Sequence, residues 1–325
     1  PDVVFGHIGW GSMLFARDVL PNTPLLGYCE HYYHADGRDV GFAKDEKVSL
    51  AKRTQLRLRN SAQLSTLDHL DVALSPTPWQ KTAFPDAYRH KIGVCHDGID
   101  VHRCRPNPQG TLKMPDGRVL RAGDPVVTYV ARDLEPYRGF PTFMRSAAKL
   151  AARNPDAIFV VAGGDGVSYG TPRTDGRKWR DVMMEETGLD PSRIYFLGQI
   201  SHEHLIRLFQ ISAAHIYLTY PFVLSWSVLE AMACGVAVIA SDTGPCHDVI
   251  KDRHNGLLTD FWDADALADK MIYSLENPAQ LIPLRQEARR TITQHFALQK
   301  CLEKQTSLIE RLAAGEIERV VGRRG

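Results

Sequence analysis

The sequence lacks the features that mark membrane-spanning, disulfide-stabilised or nucleic-acid-binding proteins. No apolar run approaches the roughly 20 residues that a membrane-spanning helix needs. The 39 basic and 38 acidic side chains leave a net charge of +1, too little to argue for a nucleic-acid partner. Neither a CxxC pair nor a regular spacing relates the six cysteines, which are Cys29, Cys95, Cys104, Cys234, Cys246 and Cys301. Scattered thiols of this kind favour a cytoplasmic protein with reduced cysteines.

What the sequence has is the length and composition of a globular protein. Its 325 residues are 44% hydrophobic and 24% charged, which is enough for two domains of ordinary size. The first residues, PDVVFGHIGWG, lack an initiator Met and have the pattern of a buried strand entered midway. We therefore expect the natural chain to begin upstream and the first domain to be incomplete.

From Pro125 onward, apolar β-branched runs alternate with helical patterns. The runs predicted as strands are PVVTYVAR, AIFVVAGG, IYFLGQI, AHIYLTY, VAVIASD and NGLLTD. Helices are predicted over about 140–153 and 177–187, from His202, and around Glu230. Near-continuous apolar strands separated by helices are typical of a parallel sheet covered on both faces, so this region is predicted to be a doubly wound α/β domain.

The same alternation is fainter in the first 100 residues. Strands are predicted at DVVFGHI, PLLGYCE, DVALSPT and KIGVCHDG, with helices near 13–20 and over about 46–67. The segment that follows is rich in Pro, Gly and charge, as in an exposed linker or hairpin. The predicted regions are a partial first domain over 1–103, the linker or hairpin over 104–124, a second domain over 125–295, and a C-terminal helix with a basic tail over 296–325.

Two turns at strand ends are candidates for ligand contact, because open α/β sheets bind ligands at the carboxyl ends of their strands. Arg132 ends the strand PVVTYVAR, and Arg138 follows six residues later, before a predicted helix. Two guanidiniums and a helix N-terminus at one point would bind a diphosphate, whereas two solvated surface arginines are the alternative. Gly163 and Gly164 lead into a glycine-rich turn that lets a ligand approach the backbone, although its spacing matches no phosphate loop.

A single carboxylate, Glu230, lies in the otherwise apolar segment TYPFVLSWSVLEAMACG. Ser227 and Glu230 have the spacing of a capping box, in which the glutamate accepts a hydrogen bond from the amide that begins the helix. Ligand binding is the other interpretation, and the residues alone leave both open.

Three motifs together resemble those of the retaining glycosyltransferases of family 4. They are FVLSWSVLEAMACGVAVIASDTGPCHDVI, RDLEPYRGF upstream of it, and HDGID before the linker. The resemblance extends from residue 1 to about residue 296. It implies the GT-B fold, in which two Rossmann-like domains face a cleft, and transfer of a sugar from a UDP- or GDP-linked donor.

The resemblance also assigns donor-binding residues. In the family an Arg and a Lys six residues apart hold the donor diphosphate; Arg132 matches the Arg, and Arg138 stands where the Lys usually is. The family carries two glutamates with seven residues between them, and Glu230 matches the second, which usually binds the ribose hydroxyls. Phe222 replaces the first, so the resemblance implies that this chain recognises the donor sugar differently.

Further donor-binding candidates lie in the neighbouring turns. The amides and side chains of Val223, Leu224 and Ser225 are candidates for the β-phosphate and the sugar. Gly163 and Gly164 remain candidates at the end of their strand. Selection of the base is assigned to the loop around Gln199.

In the first domain the family usually places a His near the donor sugar, at the end of a strand. Alignment of PLLGYCEHYYH by its strand puts Glu30 at that position with His31 beside it, and either side chain is a candidate catalytic residue. His7 ends the preceding strand and is predicted to face the same cleft. A histidine that is simply paired within the protein is the alternative for His7.

No metal and no other cofactor is expected. Cys29, His31 and His34 superficially suggest a metal site, but a fourth ligand at suitable spacing is missing, and adjacent strand residues point to opposite faces. Enzymes of the resembling family neutralise the diphosphate with basic residues and helix dipoles, and the sequence has no DxD-type motif in a suitable loop.

The helix KRTQLRLRNSAQLSTLDHL leaves peripheral membrane contact open. Its first turns are basic, and helical spacing relates Leu56, Gln63, Leu67 and Leu70. It is either a core-packed helix with a solvated charged face or a basic edge that touches anionic lipid at the inner face of the membrane.

The sequence therefore predicts a retaining hexosyltransferase. A sugar would pass from a nucleoside diphosphate sugar to a hydroxyl of a saccharide or lipid-linked acceptor, in polysaccharide or glycolipid synthesis. Charge on the departing diphosphate would be stabilised by Arg132, Arg138 and the helix beginning near Ser225. A binding or scaffold protein without turnover is the alternative that Phe222 favours, and a nucleotide-sugar epimerase would need cleft carboxylates that we do not find in the sequence.

Overall fold

A computed structural model describes residues 1–316 and divides the chain into two compact units. Unit 1 comprises residues 1–98, 221–224 and the described residues from 296 onward; unit 2 comprises residues 99–220 and 225–295. Each unit contains a parallel sheet with helices, so the predicted α/β class is confirmed. The basic tail predicted at the end of the chain lies outside the described residues.

The secondary-structure elements are numbered here in chain order. The strands are β1 (Val4–His7), β2 (Leu25–Tyr28), β3 (Val72–Ser75), β4 (Ile92–Val94), β5 (Thr111–Lys113), β6 (Val119–Arg121), β7 (Val126–Asp133), β8 (Ile158–Gly164), β9 (Ile194–Phe196), β10 (Ala214–Tyr217), β11 (Ala237–Ser241) and β12 (Leu257–Thr259). The α-helices are α1 (Ala16–Val19), α2 (Leu50–His69), α3 (Pro78–Lys81), α4 (Asp86–Arg89), α5 (Phe140–Arg153), α6 (Trp179–Thr187), α7 (His202–Ile211), α8 (Trp226–Ala233), α9 (Gly244–His247), α10 (Ala264–Glu276), α11 (Ile282–His295) and α12 (Leu298–Ala313).

Unit 1 is built on four parallel strands that lie side by side in chain order, from β1 to β4. The long helix α2 connects β2 to β3 and begins at Ser49, whose hydroxyl accepts a hydrogen bond from the Lys52 amide. The helical spacing predicted for this segment is confirmed, because Leu56, Gln63 and Leu67 of α2 and Leu70 directly after it are all buried. Two of them join the core beside β2.

The opposite part of the unit 1 core is formed with α12. Cys301 and Leu312 of this helix are buried together with Leu26, Val72 and Leu74 of the sheet. Burial of such side chains is worth roughly 1.5–3 kcal/mol each. The end of the described chain therefore contributes to the core that the first strands begin.

Unit 2 contains a six-stranded parallel sheet in the order β12, β11, β10, β7, β8, β9. The chain builds β7, β8 and β9 outward in one direction and then returns to place β10 on the other side of β7. This reversal is the switch point at which open α/β sheets leave a crevice outside their strand ends. It lies between the carboxyl ends of β7 and β10.

The segment predicted as a linker or hairpin forms a hairpin within unit 2. Strands β5 and β6 are antiparallel, with Leu112 opposite Leu120. Both leucines are buried in one cluster with Val126 and Leu208. The hairpin is thus packed against the sheet that follows it.

The strands predicted from apolar runs are all present, and the helix predicted over 140–153 coincides with α5. Among the described residues, none of the helices combines the length and the apolar character needed to cross a membrane.

Candidate functional site

The switch point of unit 2 brings the ends of β7 and β10 together. Arg132 lies in the last two residues of β7, Arg138 follows that strand, and Thr219 follows β10. Arg138 Nη1 donates hydrogen bonds to Thr219 Oγ1 at 2.6 Å and to the Tyr217 hydroxyl at 3.3 Å. Its guanidinium lies over the Tyr169 ring at 4.9 Å.

Arg138 is therefore a buried cation rather than a solvated surface arginine. It is only 7% exposed, which contradicts the surface interpretation for this residue. Burial alone would lower its pKa, but the oxygens of Tyr217 and Tyr169 offset this, so the pKa lies above its ordinary value and the group stays charged. Arg132, in contrast, is exposed.

The N-terminus of α8 and the Arg138 guanidinium are hydrogen-bonded to the same group, the Tyr217 hydroxyl. Ser225 caps the helix, and its backbone amide donates to the same Tyr217 hydroxyl at 2.8 Å. A helix N-terminus carries partial positive charge from its unpaired amides. The Tyr217 oxygen thus joins two electropositive groups at the switch point.

The capping-box interpretation of Glu230 is wrong. The N-cap of α8 is Ser225, two residues before Ser227, so Glu230 lies in the second turn of the helix instead of at its third position. Its carboxylate is instead hydrogen-bonded to His202, with Glu230 Oε1 lying 2.6 Å from His202 Nε2. The carboxylate therefore remains a candidate for binding a ligand.

Glu230 and His202 form a half-buried acid–imidazole pair. Burial raises the pKa of the Glu230 carboxyl, and His202 and Arg103 oppose the rise. His202 is the first residue of α7 and its side chain is 46% exposed, so one side of the pair reaches solvent. Sequence reasoning missed His202, because 28 residues separate it from Glu230 and no motif links them.

The glycines that end β8 are required by close packing within unit 2. A Cβ atom on Gly163 would lie 2.7 Å from the Ala131 carbonyl oxygen, and one on Gly164 would lie 2.5 Å from Asp133 Oδ1. The Gln199 side-chain amide also lies beside Gly164. Packing thus explains both glycines, and their predicted contact with a donor stays a prediction, as does that of Gln199.

Two carboxylates, one at the end of β7 and one just after it, hold the loop that follows β8. Glu135 is 1% exposed and accepts hydrogen bonds from the amides of Ser168, Tyr169 and Gly170 at 3.3, 3.0 and 2.9 Å. Asp133 accepts from the Gly166 amide at 3.0 Å. The loop carries Tyr169, so these acids position the ring on which Arg138 lies. Sequence reasoning missed both, although their place beside the two arginines in RDLEPYRG is a signal.

In unit 1, His7 and Glu30 form a pair at adjacent strand ends. His7 Nδ1 accepts a hydrogen bond from the Gly9 amide at 3.1 Å, which leaves Nε2 to carry the proton and donate to Glu30 Oε2, also at 3.1 Å. A Cβ atom on Gly9 would lie 2.7 Å from the His7 ring, so the glycine admits the imidazole. Strands β1 and β2 run parallel, as the expectation for His7 requires. That His7 faces a donor cleft stays a prediction.

His31 occupies a different environment from Glu30, its neighbour in sequence. Its ring makes edge contacts with Tyr33 and Phe222, with centroids 4.9 and 4.5 Å apart. Burial, assisted by nearby Arg38, lowers the pKa of His31 to about 4. Phe222, at the position where the family carries a glutamate, therefore packs on a neutral imidazole.

The other candidate residues of unit 1 are mostly buried in the protein. Leu224 is 5% exposed and Val223 is half-buried, and both are grouped with unit 1. His34 Nε2 lies 2.6 Å from the Ala83 carbonyl oxygen, and Cys29 is fully buried in the core.

The fold is that of glycosyltransferases. Sucrose-phosphate synthase of Thermosynechococcus elongatus superposes with a TM-score of 0.74 at 21% identity, covering 97% of this chain and 74% of that one. HepE of Anabaena, solved in complex with UDP-glucose, gives a TM-score of 0.71 at 17% identity, covering 94% of this chain and 79% of that one. The chain therefore has the GT-B fold that the resemblance implied.

The sequence comparisons identify the family within this fold. Residues 113–294 match glycosyl transferases group 1, and residues 1–104 match the glycosyl transferase family 4 group. The chain therefore belongs to the glycosyl transferases group 1 family, and the expected resemblance is confirmed.

Its curated relatives include two bacterial proteins named D-inositol 3-phosphate glycosyltransferase. The one from Rhodococcus opacus is 28% identical over 88% of this chain, and the one from Mycolicibacterium smegmatis is 27% identical over 85%. The chain spans 60% and 59% of the length of these relatives.

Proposed function

We propose that this protein transfers a sugar from a nucleoside diphosphate sugar to a hydroxyl acceptor, with retention at the anomeric carbon. The observation that supports this most directly is the pairing of a buried Arg138 with the N-terminus of α8 through Tyr217. A buried guanidinium and unpaired helix amides both favour a phosphate group. Family membership supplies the class of reaction.

The donor diphosphate would lie at the switch point of unit 2. Arg138 and the amides at the start of α8 would bind its oxygens, with Arg132 reaching from the exposed side. Glu230 would accept hydrogen bonds from the ribose hydroxyls through Oε2, the carboxylate oxygen that does not face His202. UDP is the first nucleotide to test, because the structurally similar HepE has been solved with UDP-glucose.

These positive groups would assist the step in which the diphosphate leaves the sugar. Negative charge grows on the phosphate as the glycosidic bond breaks, and a preorganised cation and helix terminus stabilise it without reorganising. Because Arg138 remains charged in its buried site, this arrangement needs no metal ion at the diphosphate. In unit 1, the neutral ring of His31 would offer a hydrogen bond to a sugar hydroxyl.

The acceptor is proposed only as a class. A hydroxyl of a saccharide, or of a lipid-linked acceptor, fits a transferase of this family in polysaccharide or glycolipid synthesis. The names of the two relatives make an inositol phosphate a useful first acceptor to test.

Removing Arg132 tests the diphosphate assignment with little risk to folding, because this side chain is exposed. We expect Arg132→Ala to weaken UDP binding roughly tenfold to a hundredfold, the equivalent of a lost hydrogen bond to a charged group. Isothermal titration with UDP measures it. Arg153→Ala is the matched control, since Arg153 is a surface arginine of the same unit paired with Asp269. Equal affinities in the two variants would remove Arg132 from the site.

Turnover separates a transferase from a scaffold that only binds. The packing of Phe222 on His31 favours the scaffold alternative, because it places an apolar ring where the family has an acid. Incubation with UDP- and GDP-sugars and a panel of acceptors, followed by detection of released UDP or GDP, decides between them. The anomeric coupling in the NMR spectrum of the product then reports retention. Nucleotide binding without release under all conditions would establish the scaffold.

A further inference from the structure

Three side chains of unit 2 with different donor atoms converge on one point. The Cys104 thiol, a His202 ring nitrogen and a Glu230 carboxylate oxygen all lie within 4.8 Å of one another. They come from separate parts of the chain, because Cys104 precedes the β5–β6 hairpin, His202 begins α7 and Glu230 lies in α8. Among the described residues, these three side chains of the His, Cys, Asp and Glu types lie close enough together to share a metal ion.

Hydrogen bonds from Arg289 hold the backbone beside the cluster in place. The Arg289 guanidinium donates to the Cys104 carbonyl oxygen at 3.1 Å and to the Ala233 carbonyl oxygen at 2.5 Å, so it ties Cys104 to the end of α8. Cys104 is 1% exposed and Glu230 is 8% exposed. Because the His202 side chain is nearly half exposed, an ion would have a route from solvent.

The donor atoms determine which cation fits. Thiolate sulfur, imidazole nitrogen and one carboxylate oxygen form a mixed set that suits zinc, whereas magnesium and calcium require oxygen ligands. Three protein ligands around tetrahedral zinc leave the fourth position to water. Ligand atoms of one tetrahedral ion lie about 3–4 Å apart, as bond lengths of about 2.0–2.3 Å require. The spacing of the cluster is close to this range.

We propose that Cys104, His202 and Glu230 bind one zinc ion, and that zinc and the nucleotide exclude one another. The cation site follows from the three donors alone. The exclusion rests on the proposed function, in which the ribose uses the same Glu230 carboxylate. Zinc bound there would replace the hydrogen bond between His202 and Glu230 and occupy the carboxylate oxygens. The ion is therefore an inhibitor of donor binding and is not needed for the transfer.

Cobalt spectroscopy tests the cation site without any nucleotide. The full chain, reduced and freed of metal with a chelator, is titrated with Co²⁺. We expect a thiolate-to-cobalt charge-transfer band that saturates at one equivalent and is displaced by Zn²⁺. Cys104→Ser should abolish the band, and His202→Gln should weaken binding at least tenfold, the order of loss expected for one ligand.

His204→Gln is the matched control. His204 is an exposed histidine two residues from His202 in the same helix, and it is outside the cluster. This variant should bind Co²⁺ like the parent chain. Circular dichroism of each variant confirms folding. A band that persists in Cys104→Ser, or equal Co²⁺ affinities in the parent, His202→Gln and His204→Gln, would overturn the site.

The exclusion is tested by titrating UDP with and without Zn²⁺. UDP itself binds zinc in solution, so the effect is compared in the parent chain and in His202→Gln, where the solution chemistry is the same. We expect zinc to weaken UDP binding at least tenfold more in the parent than in the variant. An equal effect in both, with the cobalt band present, would overturn the exclusion and the ribose role of Glu230 while leaving the cation site established.

Discussion

At the scale of single residues, His31 of unit 1 is a buried histidine whose pKa is far below its ordinary value. Its pKa is lowered to about 4 because the ring is buried, with Arg38 nearby. Its Nε2 has no hydrogen-bond partner among the described residues. At neutral pH it is an uncharged imidazole packed between Tyr33 and Phe222, and it can offer a hydrogen bond without adding charge.

The low pKa of His31 should make the stability of the folded protein depend on pH in mild acid. The unfolded chain binds a proton on His31 below a pH of about 6.5, but the folded chain does so only below about 4. Between these values protonation favours the unfolded state, so stability is lost as the pH falls through the window. When the pH is lowered from about 7.5 to about 5, we expect the unfolding free energy of His31→Gln to fall by about 2 kcal/mol less than that of the parent.

Urea denaturation of both proteins at the two pH values measures this difference. His90→Gln is the control, because His90 is an exposed histidine of the same unit, and it should keep the pH dependence of the parent. If the acid sensitivity of His31→Gln equals that of the parent, the depressed pKa is refuted.

The sequence predicted Glu230 as a candidate but not its surroundings. The apolar segment around it made one carboxylate conspicuous, and the capping box was a reasonable local explanation. Position in the helix excludes that explanation, since the hydroxyl that caps α8 belongs to Ser225. Its actual partner, His202, comes from another helix and depends on how α7 and α8 pack, which local patterns do not specify.

At the scale of elements, α7 and α8 begin in the same way but in different surroundings. Ser201 Oγ accepts from the His204 amide at 3.3 Å, and Ser225 Oγ accepts from the Ser227 amide at 3.4 Å. Only the α8 cap is also connected with Arg138 through Tyr217. The two caps therefore form a natural pair for comparison.

Replacing each cap with alanine should separate stability from binding. We expect Ser201→Ala and Ser225→Ala each to cost about 1 kcal/mol of unfolding free energy, the usual value of such a cap. Only Ser225→Ala should also weaken UDP binding, by roughly twofold to tenfold for one neutral hydrogen bond. Thermal unfolding and isothermal titration measure the two effects. Equal nucleotide affinities in the two variants would exclude a donor contact by the Ser225 hydroxyl.

Elements were the most predictable part of the fold. Near-continuous apolar runs such as AIFVVAGG and VAVIASD mark strands buried on both faces, and these became β8 and β11. The helix boundaries of α5 followed from its amphipathic pattern. The loop after β8 was less predictable, because its shape depends on Glu135, a side chain more than 30 residues earlier that binds three of its amides.

At the scale of the whole molecule, the most consequential feature is the return of α12 to unit 1. Gly98, which follows β4, has φ +93 and lies so close to α12 that an added Cβ atom would be 2.5 Å from Leu298 Cα. The glycine is therefore required both by its backbone conformation and by the helix against it.

A pair of glycine substitutions can isolate that contact. Gly117 has φ +91, but an added Cβ atom there would meet nothing within 4 Å. Gly98→Ala and Gly117→Ala should therefore share the cost of a left-handed backbone, and Gly98→Ala should lose roughly 2 kcal/mol more through overpacking. Chemical denaturation measures both. If the two variants lose the same stability, the contact with α12 has no energetic weight.

The sequence did not predict this return. The amphipathic pattern of α12 indicates that one face must be covered, but Cys301 and Leu312 do not indicate by which sheet. Long-range pairing of this kind depends on the geometry of both units, whereas the alternation of strands and helices inside each unit is a local property. The GT-B fold was reached through the combined motifs, and not through any single pattern.

The return of α12 also sets the order in which the protein is completed on the ribosome. Strands β2 and β3 are translated before unit 2, yet the face formed by Leu26, Val72 and Leu74 is covered only after residues 298–312 have been translated. Unit 2 lies between them in the chain and can be finished earlier. This apolar surface is thus buried only long after it has been synthesised, and until then it is open to chaperones and to aggregation.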